Sequence, residues 1–327
     1  MSYVGMDLHK AFTQYAVVNG DGVILDEGRI ENEDPSELEK FSDSLAANTN
    51  IVIESSSTWY WVYKMLSKRH HVILSNPAKT KAIASAKVKT DRIDSITLAN
   101  LLRGGYIAES YIPPARIMEF RELVRYRANL VRQRAQLKNR VHASLLMNNI
   151  RIDAKPFTEK FVAELRKVDD YRVQGCLRLI ESVNRELKEV EKLIAQKAGE
   201  SEDAKLLMTI PGISYYSALL ISSEIGAIDR FPDSSGLVAY AGLSPSTHSS
   251  GGKTYHGPIT KRGSPYLRWV LNQCTRSHIK TEPDGTVALF YDRLARKKGD
   301  QKAIVAASAK LLKIAFWVLK ERREYHS

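Results

Sequence analysis

Four carboxylates stand where a carboxylate needs a reason. Asp7 lies in the apolar run Val4-Gly5-Met6-Asp7-Leu8, and a charge inside a buried strand is costly unless it is paired or binds a cation. Glu54 closes the run Ile51-Val52-Ile53, where a strand would emerge at the edge of a sheet. Asp91 and Asp94 stand three apart in Lys89-Thr90-Asp91-Arg92-Ile93-Asp94, a spacing that puts both on one helix face. Hard oxygen ligands with open positions suit Mg²⁺, and two such ions can clamp both oxygens of a phosphoryl transfer. Each acid alone has a plainer role open to it: Thr90 as a helix cap with Asp91 at the positive helix end, and Glu54 as a strand terminus. The set is more specific than its members.

A second group of reactive types surrounds residue 250. The stretch Ser244-Pro245-Ser246-Thr247-His248-Ser249-Ser250-Gly251-Gly252-Lys253 is polar and glycine-rich, which predicts a loop. A serine nucleophile fits there, with Lys253, Lys261 and Arg262 as cations that would stabilise charge on a reacting phosphate. His248 is available as a base, although a single loop histidine is more often merely exposed. Ser264, before Pro265, reads as a helix N-cap. Upstream, the turn at Ile210-Pro211-Gly212-Ile213 ahead of the apolar run 216–225 is similar to a helix-hairpin-helix turn. There, backbone N–H groups around Gly212 would grip a DNA phosphate without reading bases. An ordinary helix–helix turn accounts for the same residues.

These groups need elements to hold them. Alternating apolar residues predict strands over Tyr3–Leu8, Gln14–Val18 and Val23–Ile30, with Asn19-Gly20-Asp21-Gly22 as the turn of a hairpin. A short helix from Pro35, a strand Asn50–Glu54, a helix around Trp59–Lys68 and a strand His71–Ser75 follow. The order βββαβαβα predicts an RNase-H-like α/β sheet of mixed direction. Pro113-Pro114 ends this unit, and a long helix is expected from Ile117 to about Ile150. Seven basic residues lie between 121 and 140, namely Arg121, Arg125, Arg127, Arg132, Arg134, Lys138 and Arg140, with Glu122 the one acid among them. A solvated face normally mixes its signs, so this helix is expected to contact nucleic acid.

Val173, Cys176, Ile180, Val183, Leu187, Val190 and Ile194 are spaced 3, 4, 3, 4, 3, 4 on a helix from Phe157 or Val173 to Gln196. That is a heptad seam, a coiled coil whose partner is either the preceding helix or another subunit. The polar stretch Lys197–Asp203 reads as the next boundary. The expected domains are therefore 1–112, an α/β metal-binding unit; 113–204, the basic helix and coiled coil; and 205–327, a helical unit with the serine stretch.

The 49 Lys and Arg against 37 Asp and Glu leave a net charge of +12. Of this, +10 falls in residues 251–327, which carry 16 basic and 6 acidic residues. Concentrated positive charge points to a polyanion as partner. Two cysteines, Cys176 and Cys274, form no zinc signature. No signal peptide and no apolar run long enough for a membrane span are visible, so a cytoplasmic protein is expected.

At this point the motifs can be read together. Gly5-Met6-Asp7, Ile53-Glu54-Ser55, Asn76-Pro77-Ala78 and Lys89-Thr90-Asp91-Arg92-Ile93-Asp94 resemble the N-terminal half of the DEDD-type insertion-sequence transposases. Ile210-Pro211-Gly212-Ile213, Ala241-Gly242-Leu243-Ser244-Pro245 and Ser250-Gly251 resemble their C-terminal half. The resemblance covers nearly the whole chain in order. It implies a RuvC-like domain whose acids, Asp7, Glu54, Asp91 and Asp94, bind Mg²⁺, and a domain in which Ser250 attacks DNA to form a phosphoserine link. The family's serine stands five residues after the proline of the AGL-x-P motif and just before glycine, which selects Ser250 over Ser249. The resemblance further implies a structured guide (bridge) RNA that pairs with double-stranded donor and target DNA. It implies dimers that assemble to tetramers, acting at the nucleoid; a related branch inverts DNA. Where many relatives carry a glycine shortly after the glutamate, this chain has Glu54-Ser55-Ser56-Ser57-Thr58. Two other functions fit the residues: a junction-resolving metal nuclease that activates water, and a non-catalytic nucleic-acid scaffold.

Overall fold

The computed structural model describes residues 1–83, 90–250 and 253–326, without the side chains of 78, 81–82, 248–250, 253–254 and 256. The chain divides into two compact units, Met1–Ile112 and Pro113–Ser327.

The first unit is built on a sheet of β1 (Tyr3–Leu8), β2 (Phe12–Val18), β3 (Ile24–Glu31), β4 (Asn50–Glu54) and β5 (His71–Ser75). Its spatial order is β3-β2-β1-β4-β5. The first three strands are antiparallel neighbours, whereas β1, β4 and β5 run parallel. The β2–β3 turn forms at the Asn-Gly tetrad, where the Asn19 side chain accepts from the Asp21 and Val23 amides. Parallel strands need crossovers. These are α1 (Pro35–Ser44), capped by Asp34, and α2 (Trp59–Leu66). Then α3 (Pro77–Ile83) and α4 (Asp91–Arg103) follow β5. The core joins Val4, Met6, Ile51 and Ile53 from the sheet to Leu38, Val62 and Leu66 from α1 and α2.

The second unit opens with α5 (Ala115–Met147), begun just after Pro113-Pro114. Of the two starts open to the second long helix, the one at Val173 agrees with α7 (Tyr171–Gly199), and the stretch after Phe157 forms a separate helix, α6 (Glu159–Lys167). The break is made by Asp170, whose carboxylate accepts from the Arg172 and Val173 amides and starts α7. The partner of the heptad seam is α5. Arg127 meets Glu191, Arg134 meets Asn184 and Ser144 meets Asp170, so the two helices run antiparallel.

After α8 (Glu202–Met208) comes α9 (Tyr215–Ile225), buried along its length from Tyr216. A helix apolar on all sides belongs inside a unit, and here it packs with Phe120 and Val124 of α5 and Ile194 of α7 in one core. The stretches expected to be separate middle and C-terminal regions thus share side-chain packing, and within Lys197–Asp203 only Glu200 and Ser201 lie between helices. A short 3₁₀ turn (Ile228–Arg230), α10 (Ser234–Tyr240), the strands β6 (Pro245–Ser250) and β7 (Lys253–Ile259), α11 (Pro265–Thr281), α12 (Thr286–Lys298) and α13 (Asp300–Glu321) complete it. The expected loop at 244–253 is instead a two-stranded antiparallel ribbon, with Ser250 paired to Lys253. Gly251 and Gly252, the intervening residues, lie outside the described residues. Among the described residues no helix is long and apolar enough to cross a membrane.

Candidate active site

Strand pairing places two of the four acids side by side. Met6 of β1 stands opposite Ile53 of β4, and both strands run the same way. The next residue of each, Asp7 and Glu54, therefore lies near the C-terminal end of its strand, at the same end of the sheet. The other two acids arrive on α4, which lies directly on β1. A Cβ at Gly5 would stand 2.2 Å from the Ser95 carbonyl oxygen and 2.4 Å from the Ala99 nitrogen; glycine is what admits the helix backbone so close. Thr90 caps α4, accepting from the Ile93 amide at 3.2 Å. Asp91 and Asp94 fall in the first turn, where the helix dipole favours negative charge. A two-point ion pair from Arg92 to Glu27 of β3 ties down the same end. Lys89, the first residue of that motif, lies outside the described residues.

Asp7 is buried, at 8% exposure. Burial lifts its carboxyl above the usual value of 3.8, the nearby Asp91 and Asp94 charges lift it further, and His9 opposes the rise. His9, two residues after Asp7, joins the acids although its sequence context is an ordinary polar one. Its Nε2 lies 3.1 Å from Asp7 Oδ2 and 3.4 Å from Asp91 Oδ2. One ligand atom from each of Asp7, His9 and Asp91 lies within 4.8 Å of the others. Carboxylates crowded in this way around an imidazole form a donor set that fits a divalent cation, and they repel one another without one. The Asp7-Leu8-His9 spacing was the signal available in the sequence.

The basic face of α5 is only partly free. Arg121 donates to the Ser223 carbonyl at 2.7 Å, and Arg125 grips the buried Glu224 at 2.7 and 2.9 Å. Arg127 pairs with Glu191 and lies 4.2 Å from the centre of the Tyr216 ring. Arg134 donates to Asn184, and Lys138 lies over Phe157. Arg132 and Arg140 are exposed. The basic helix thus spends Arg121 on backbone carbonyls of α9, and Arg125 and Arg127 on the carboxylates of Glu224 in α9 and Glu191 in α7.

Gly212 has a packing reason. Its Cβ position is 2.5 Å from the His278 nitrogen of α11, and His278 hydrogen-bonds the Pro211 carbonyl at 2.8 Å. The Pro-Gly turn is pressed on α11, which accounts for the glycine without a phosphate.

The base of the β6–β7 ribbon is closed by two glycine segments packed back to back. Gly242, with φ +69°, would carry a Cβ 2.2 Å from the Arg262 carbonyl oxygen, and Gly263 one 2.0 Å from that of Tyr240. The Lys261 amide donates to Gly242 and the Thr260 amide to Ser244. Arg268 ties both segments by donating to the Ala241 and Gly263 carbonyls. Lys261 and Arg262 are exposed beside this base, and Ser264 caps α11. The ribbon carries Ser250 and Lys253 at its far end, with side chains outside the described residues, as are those of His248 and Ser249.

Comparison with known proteins agrees across both units. A family model described as a transposase, of the DEDD IS110 type, matches residues 4–149, and another described as transposase IS116/IS110/IS902 family matches residues 204–289. The transposase for insertion sequence element IS1111A of Coxiella burnetii is 25% identical over 334 residues, covering 98% of this chain and 90% of that protein. The transposase for insertion sequence element IS1328 of Yersinia enterocolitica is 30% identical over 205 residues, 60% of this chain and 61% of its own. The first model spans the acid motifs and the second the Pro-Gly turn, the ribbon and its glycine base, so this chain belongs to the IS110/IS116/IS902 family of transposases.

Proposed function

We propose that this transposase cuts and rejoins DNA strands with Ser250 as nucleophile, assisted by Mg²⁺ held by Asp7, Glu54, Asp91 and Asp94, and guided by a structured RNA. The observation that carries the reading is the meeting of Asp7 and Asp91 at the end of the sheet that Glu54 shares, with Asp94 close enough to act on Asp7. The strand order and directions of the first unit support an RNase-H-like, RuvC-like domain as its setting. A divalent ion there would supply Lewis-acid polarisation of a phosphoryl oxygen.

Ser250 would act as follows. Its Oγ attacks a DNA phosphorus, the Oγ–P bond forms, and the bond from phosphorus to one sugar oxygen breaks. The Oγ proton leaves with that oxygen as a hydroxyl. Rejoining reverses the exchange with a hydroxyl of another strand, so no water or oxidant is consumed. Lys253, Lys261 and Arg262 share the ribbon or its base and would offset charge on the pentacoordinate phosphorus. Double-stranded donor and target DNA and the guide RNA are the partners. A homodimer assembling to a tetramer is the working form.

The test is a denaturing gel of labelled DNA from the gene's flanks, incubated with Mg²⁺ and RNA transcribed from them. Wild type should give a protein-linked DNA band that both Ser250→Ala and Asp94→Asn abolish. Free nicks that persist in Ser250→Ala but vanish in Asp94→Asn would replace the serine reaction with metal-activated water.

A further inference from the structure

We propose that His9 is itself a ligand of the metal centre, a nitrogen donor among the acids that raises the site's affinity for first-row transition dications more than its affinity for Mg²⁺. This rests on the acid cluster being a metal site, as proposed above, and adds a ligand that the four acids do not include.

Three observations converge on His9. Its Nε2 lies 3.1 Å from Asp7 Oδ2 and 3.4 Å from Asp91 Oδ2, so this nitrogen faces the carboxylate oxygens while the side chain as a whole stays partly exposed. Its position is prepared by the backbone. The His9 amide donates to the Phe12 carbonyl at 2.9 Å and its carbonyl accepts from the Asn32 side chain at 2.8 Å, which closes the short β1–β2 connection around it. Its ring is held as well, against Phe12 at 4.6 Å between centres, with the Arg29 guanidinium stacked on that same Phe12 ring. A histidine fixed through backbone and ring has lost its freedom before any ion arrives, as an effective ligand must.

The chemical consequence follows from the donor type. Mg²⁺ takes oxygen and holds its water, whereas imidazole nitrogen raises affinity for later divalent metals. An all-carboxylate edge would favour Mg²⁺ or Ca²⁺; one nitrogen among the acids shifts the preference toward Mn²⁺ and, further along the series, Co²⁺. The competing role for His9 is an imidazolium counter-ion that neutralises Asp7 and Asp91 until a metal displaces it. The two roles predict opposite effects of removing it.

The experiment is Mn²⁺ titration of the full-length chain without nucleic acid, read by loss of the free-ion electron paramagnetic resonance signal, with pulsed measurements on the bound ion. Wild-type protein should show coupling of bound Mn²⁺ to a ligating nitrogen, assigned to histidine by ¹⁵N-His labelling. His9→Ala should abolish the coupling and weaken Mn²⁺ binding by about tenfold or more. Mg²⁺ affinity, read by competition, should change several-fold less. Bound Mn²⁺ without nitrogen coupling in wild type, or equal or tighter binding in His9→Ala, would assign His9 as counter-ion and overturn the proposal. The wild-type coupling decides the question even if His9→Ala fails to fold. Asp7→Asn separates the two levels. Binding that depends on Asp7 but not on His9 sinks only this inference, whereas no Asp7-dependent binding removes the metal site itself.

Discussion

Glu224 is 1% exposed, while 39% of the side chain of its ion-pair partner Arg125 remains exposed. The two ends of that pair therefore depend on each other unequally. Removing Arg125 strands a buried carboxylate, and Arg125→Leu should cost about 3–5 kcal/mol. Glu224→Gln keeps the shape and one acceptor and leaves a guanidinium that water can reach, so it should cost about 1 kcal/mol. Urea unfolding of both variants checks this. Equal losses would mean that burial does not set the cost. The same residues show what the charge pattern of α5 alone leaves out. Arg125 and Glu224 are 99 residues apart and Arg127 and Glu191 are 64 apart. Counting signs within one helix cannot see an acid that arrives from another. Asp7 and Glu54 stand out in the sequence because a carboxylate in or closing an apolar run is locally anomalous, and Asp91 and Asp94 because three-residue spacing puts them on one helix face. His9 follows two residues after Asp7 in a polar stretch, where a histidine raises no such question.

At the level of elements, close approach at single glycines decides where the chemistry sits. Gly5→Ala would drive its methyl into the α4 backbone at Ser95 and Ala99. Helix backbone cannot yield as a flexible side chain can, so the strain should cost about 1–3 kcal/mol. Because α4 carries Asp91 and Asp94, Mn²⁺ binding should weaken in the same variant; unchanged binding would show that β1 and α4 need not touch there to hold the cluster. The start of α7 makes a pH-dependent prediction. Asp170 accepts from the Arg172 side chain, from Ser144 and from two amides, and its carboxyl is held well below 3.8. A depressed folded value stabilises the protein fully above the ordinary aspartate range and is lost as pH falls through the folded value. Asp170→Ala should therefore lower the denaturation midpoint at neutral pH. The gap to wild type should shrink in acid, and a gap constant down to pH about 2 would exclude the carboxylate as its source.

For the whole molecule, charge is the property that partners sense. The net +12 should make nucleic-acid binding fall steeply with salt. If the exposed part of α5 takes part, replacing Arg132 and Arg140 by Gln should reduce the slope of log affinity against log salt by about two, one for each lost phosphate contact. Arg121→Gln should leave that slope unchanged and lower stability instead, since its guanidinium is spent on the Ser223 and Glu224 carbonyls. A slope unmoved by the double change would place the contacts elsewhere on the chain.

Read alone, the sequence determined what depends on neighbours a few residues apart. Alternation marked β1, the Asn-Gly tetrad marked the β2–β3 turn, Thr90 and Ser264 marked helix starts, and Pro113-Pro114 marked where the α/β run stops. The order of its motifs was enough for the family. Tertiary structure decided which side chains share a site and which are used up inside the fold: His9 beside Asp91, Arg125 on Glu224, Gly212 under His278, and a paired ribbon where a loop was expected. The physical reason is that propensity and capping act within a turn of chain, whereas charge pairing, glycine contacts and strand register act between segments that meet only after the chain folds back.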